Sequence, residues 1–173
     1  MWLFDIDLSN FSNINYDIKQ HIKYYNDKPE RIKALSLLSP EQVEKIGTLK
    51  GEAILGFVTG EQLSLESFHH NRIFIDFIQN LIGIEAPKDP DLQAAASEQQ
   101  KGWIYIIDRR VTDSPQEEET SPEDIFGAFE IKDGQILANS YQPNDNYLIF
   151  SKNGLFQLPD SLNQSLISAL EAL

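Results

Sequence analysis

Two short steps near the C-terminal end constrain the fold more than any other feature. Lys132-Asp133-Gly134 and Lys152-Asn153-Gly154 each stand between runs of apolar residues. Asp-Gly and Asn-Gly tolerate positive φ at both centres of a two-residue turn, and such a turn joins antiparallel neighbours. The surrounding runs WIYIID, FGAFEI, QILA, YLIF and LFQL have strand length and strand composition. Together they predict an antiparallel β-meander of about five strands over residues 103–158.

Such a sheet needs helices against one face. SLESFHHNRIFIDFIQNLIG predicts one over 65–82, capped by Ser64 and ended by Gly83. Its polar residues His69, Arg72, Asp76 and Gln79 would form a narrow wet stripe on an otherwise apolar surface. DSLNQSLISALEAL predicts a second helix over 161–172 with Asp160 as cap and Leu162, Leu166, Ala169, Leu170 and Leu173 on one face.

The beginning of the chain reads differently. WLFDIDL alternates, with Trp2, Phe4, Ile6 and Leu8 opposite Leu3, Asp5 and Asp7, and predicts a strand. YDIKQHIKYY and KPERIKALSLL predict short helices, and Ser39-Pro40-Glu41 opens a third. EAILGFVTG, an apolar run between glycines, predicts a buried strand. The expected architecture is α+β: one compact domain over 1–173, with a mainly helical sub-lobe over 1–85 and the meander with its C-terminal helix over 101–173. Residues 86–100, poor in large apolar side chains, read as a polar connector.

A chain of 173 residues with 41% hydrophobic residues can bury a sufficient core without disulfides or a structural metal. It has no cysteine, which excludes thiolate metal sites and cysteine nucleophiles. No apolar run approaches a membrane span, and the acidic N-terminus is unlike a secretory signal, so a soluble cytoplasmic protein is expected. The formal charge is −13. Residues 1–50 hold seven acids and seven bases, so residues 51–173 carry the whole excess. That surface repels phosphate backbones, which argues against nucleic acid and anionic membrane and favours a basic protein partner. A homo-oligomer is compatible with the composition but has no specific support.

Asp5 and Asp7 are two apart on a strand, hence on one face about 7 Å apart, where both could address one ligand. Asp5-Ile6-Asp7-Leu8-Ser9 resembles the opening motif of haloacid dehalogenase-type phosphatases, over five residues of the chain. The resemblance implies a magnesium-dependent phosphatase or phosphotransferase with a further acidic pair at another strand end, loosely matched by Asp108 and Asp113. The sequence departs from that pattern at Ile107, where glycine is usual, and at Leu8-Ser9, where glycine-threonine is usual. The family also needs a parallel sheet, against which the hairpin steps stand.

The remaining candidates point away from catalysis. His69 and His70 are adjacent and would diverge on a helix, so they do not share a metal; His21 lies on the apolar side of its predicted helix. No Gly-x-Ser-x-Gly elbow and no phosphate-cradling loop is present. Arg109 and Arg110, at the end of a strand, could clamp an anion, but most often such arginines pair with local carboxylates. The stretch VTDSPQEEETSPED predicts an exposed acidic loop from Asp113 to Asp124, with Glu117, Glu118 and Glu119 suited to a basic partner. Tyr141 and Tyr147 frame SYQPNDNY and would offer a second contact surface if exposed. The expected function is a non-enzymatic acidic binding protein, inhibitor-like or immunity-like, with no cofactor; the alternative is the magnesium-dependent enzyme.

Overall fold

Ile32-Lys33-Ala34-Leu35-Ser36 forms a strand, not the helix its surroundings predict. The computed structural model describes residues 1–6, 32–111 and 120–173, and the expected helix around His21 lies outside them. The elements are β1 (Trp2–Asp5), β2 (Ile32–Ser36), α1 (Pro40–Ile46), β3 (Ile54–Thr59), β4 (Phe68–His70), α2 (Arg72–Glu85) and α3 (Pro90–Gln99). They continue with β5 (Gly102–Ile107), β6 (Ile125–Lys132), β7 (Gln135–Ile136), β8 (Gln142–Pro143), β9 (Phe150–Ser151), β10 (Gly154–Leu155) and α4 (Asp160–Glu171). The class is α+β, and every strand pair among the described residues is antiparallel. The chain divides into two compact units, residues 1–77 with 167–173, and residues 78–166.

The first unit holds a sheet in the order β1-β2-β3-β4. β2 lies between β1 and β3, so its backbone is paired on both sides, and Ile32, Ala34, Leu35 and Ser36 are all buried. A short apolar run without strict alternation fits a strand buried on both faces as well as it fits a helix. The N-terminal part is therefore less helical than expected. β3 is the strand that EAILGFVTG predicts, and α1 begins as predicted, with Ser39 and Gln42 closing a reciprocal capping box.

The helix predicted over 65–82 begins instead at Arg72 and runs past Gly83 to Glu85. Ser64 does cap, but it caps a single turn: Ser64 Oγ accepts from Ser67 N at 3.1 Å, and Ser67 Oγ accepts from Ser64 N at 2.9 Å. Phe68-His69-His70 then pairs with β3. The helix proper starts after Asn71, whose Oδ1 accepts from Ile73 N while its Nδ2 donates to the carbonyls of Gly51 and Ile54. On a strand His69 and His70 point to opposite faces, which replaces the helical divergence expected of them.

The second unit contains the meander. β5, β6 and β7 are consecutive neighbours, and β8 also pairs with β6. Lys132 is opposite Gln135 across a two-residue turn in which Asp133 and Gly134 have φ of 51° and 73°, the tight hairpin predicted for this step. The second hairpin is shifted by one residue. Ser151 is opposite Gly154, so Lys152 and Asn153 form the turn and Gly154 follows it with φ 97°, in the left-handed region. β9 and β10 form a separate two-stranded sheet. Residues 86–100, read as a polar connector, contain α3: Asp89 accepts from Asp91 N and Leu92 N, both at 3.0 Å, and caps it. Ala86 and Ala96 are fully buried, a role open to residues too small to register as core in the sequence.

Candidate functional site

Asp108, Arg110 and Asp124 form an ion-paired group in the second unit, and all three side chains are almost completely buried. β5 ends at Ile107, so the chain turns at Asp108 and carries Arg110 inward. A guanidinium has five N–H donors in a fixed fork. Arg110 Nε donates to Asp124 Oδ1 at 2.7 Å, Nη1 to the carbonyls of Ile149 and Gly154, and Nη2 to those of Glu123 and Leu148, all within 3.1 Å. Every donor is used.

The carboxylates are equally engaged. Asp108 Oδ1 accepts from the backbone N–H of Arg110 and of Gln157, both at 2.9 Å, and Oδ2 accepts from the Tyr147 hydroxyl at 2.8 Å. Asp124 Oδ2 accepts from Asn153 Nδ2 at 2.8 Å, and its Oδ1 also accepts from Ser151 Oγ. Burial pushes the Asp108 carboxyl above its ordinary range against the pull of those N–H groups and of Arg110. Burial pushes the Tyr147 phenol well up, and the charge of Asp108 adds to it. Taken as chemistry, all five N–H groups of Arg110 and all four carboxylate oxygens of Asp108 and Asp124 are engaged within the cluster.

Tyr147 is thus not the exposed contact residue its flanking sequence suggests. It is 3% exposed, and its ring stacks on Phe126 at 4.2 Å. Tyr141 is half-buried, its hydroxyl bonded to Gln79 Oε1, while Gln79 Nε2 donates to the Phe126 carbonyl at 3.0 Å. Burial raises the Tyr141 phenol as well. Gln79, expected on a wet stripe, therefore anchors β6 from inside; Arg72 and Asp76, of the same stripe, are exposed and form an ion pair one turn apart. Asp5 is exposed on β1, at an edge of its sheet. Asp7, Asp113, Glu117, Glu118 and Glu119 lie outside the described residues. Asp124, the last residue of the expected acidic loop, is buried in the cluster and not solvated. Among the described residues no group of three or more His, Asp or Glu could hold a metal ion.

Among the described residues of this unit is an open groove of about 370 Å³ on the sheet. Trp103 and Tyr105 of β5 stand on one face, with Ile104 and Ile106 buried on the other. Ile125 and Ala128 of β6, Pro122, and Gln142, Pro143 and Asn144 around β8 complete the lining. Gly127 lets β8 approach: a Cβ there would sit 2.4 Å from the Gln142 carbonyl oxygen. Asn144 Nδ2 donates to the carbonyls of Pro122 and Ile125 and fixes the wall. The signal for this groove is present in WIYIID, where aromatic and aliphatic residues alternate and so provide an apolar side chain on each face.

Comparisons of the chain with family models, curated proteins and solved structures return no match.

Proposed function

We propose that the chain is a non-enzymatic binding protein that engages a basic protein partner, in the manner of an inhibitor or immunity-like protein. One observation carries this reading: the buried Asp108–Arg110–Asp124 cluster spends its hydrogen-bonding capacity internally, while an aromatic groove stands open in the same unit. Charge supports it, because residues 78–166 hold fifteen acids and six bases. A surface of that sign speeds encounter with a basic partner and rejects polyanions. No helix among the described residues is long and apolar enough to cross a membrane.

The test is affinity capture with the full chain. A specific partner should be retained whose capture weakens with ionic strength and with Glu117, Glu118 and Glu119 changed to Gln. Capture indifferent to both changes would remove the electrostatic part of the proposal. The metal-dependent alternative makes a separate claim: magnesium should raise the melting temperature and Asp5→Asn should abolish the rise. That result would replace the binding reading.

A further inference from the structure

We propose that the groove over Trp103 and Tyr105 receives an extended, proline-bearing segment that also carries lysine or arginine. This rests on the protein-binding reading and names its partner class. The lining is aromatic and imino in character, with Trp103, Tyr105, Pro122, Ile125 and Pro143 forming shallow walls on a sheet face. A β-strand pairs with a sheet's edge and not its face, and these walls are shallow and lie across a sheet face. A polyproline II segment needs no backbone pairing and presents carbonyls in place of N–H groups. The groove offers what such carbonyls require: Trp103 brings an indole N–H, a side chain that donates and does not accept, and Gln142 brings an amide. Asn144, already bonded to Pro122 and Ile125, keeps the wall in place before anything binds, so little ordering cost remains.

Charge supplies the second half of the specificity. Glu130 is exposed directly opposite Trp103 on the β5–β6 ladder, and exposed Asp145 follows Asn144 at the other end. Of the six bases in residues 78–166, Arg110 is buried in the ion-pair cluster and Lys152 faces Glu123. Lys101 and Lys132 sit near the Trp103 end, so a basic residue of the segment belongs at the Asp145 end.

A displayed library of random peptides, selected on the full chain and counter-selected on Trp103→Ala, tests this. The enriched peptides should combine proline with lysine or arginine. A synthetic representative should bind about tenfold or more weakly to Trp103→Ala, and weaken again when its prolines become alanine or when ionic strength rises. Trp103 is 38% exposed, so the variant should keep its melting temperature, and Pro143→Ala provides an independent change in the same wall. Absence of enrichment, enrichment of peptides without proline, or equal binding to Trp103→Ala and Pro143→Ala would each overturn the proposal. Peptides that lack proline yet depend on Trp103 would refute the proline assignment and leave the protein-binding reading standing; failure of the full chain to retain any partner would overturn the protein-binding reading itself.

Discussion

Arg110 gathers carbonyls from three separate stretches of chain, at Glu123, at Leu148 and Ile149, and at Gly154, and holds two carboxylates beside them. Replacing one member of a buried pair strands the other, which costs more than the pair contributes. Arg110→Met should therefore lower unfolding free energy by about 3–5 kcal/mol. Tyr147→Phe, which leaves Asp108 Oδ2 without its donor but keeps the stacked ring, should cost about 1–3 kcal/mol. Urea denaturation of the two variants measures both; equal small effects would mean that the cluster is wetter than its burial implies. At this scale the sequence was half legible. Adjacent arginines at a strand end do announce local carboxylates, but which carboxylate is decided by long-range folding, and Asp124 looked like the end of a solvated acidic run. Tyr147 misled for the same reason, since polar neighbours in sequence say nothing about a ring buried beneath them.

Turns were easier to read than the elements they join. Asp133-Gly134 demands positive φ within two residues, a local requirement that local sequence expresses fully. By contrast, Ile32–Ser36 is a strand because β1 and β3 pair on either side of it, and nothing within the five residues records those partners. Ser64 shows how a correct local signal can still mislead: the cap forms, and one turn later the chain pairs with β3 instead of continuing as helix. The groove depends on an element-level detail, the close approach of β8 to β6 at Gly127. Gly127→Ala would push a Cβ against the Gln142 carbonyl and the Tyr141 hydroxyl. The expected cost is about 1–3 kcal/mol, accompanied by loss of peptide binding at the groove, read by melting temperature and titration on the same sample. Retained binding at full affinity would show that β8 is not part of the wall.

Burial acts on proton equilibria in one direction at three of the described residues. Asp108, Tyr141 and Tyr147 are each raised, with burial the largest cause in every case. A raised group holds its proton in the folded chain where the unfolded chain has released it, so its contribution is present below the unfolded value and lost as pH rises through the folded one. For Asp108 that window opens at the ordinary carboxyl value of 3.8 and extends upward, which makes mild acid stabilising through this group. For the two tyrosines it opens at 10.0, above which stability should fall by up to about 1.4 kcal/mol per pH unit for each phenol. The chain has six tyrosines, so a titration of tyrosinate absorbance followed alongside circular dichroism separates the cases. Two phenols should ionise only as the structure unfolds, and Tyr141→Phe and Tyr147→Phe should each remove one of them and flatten the alkaline decline. If every phenol ionises near pH 10 while the structure persists, the burial of these two rings is wrong, and with it the internal engagement of Tyr147 with Asp108.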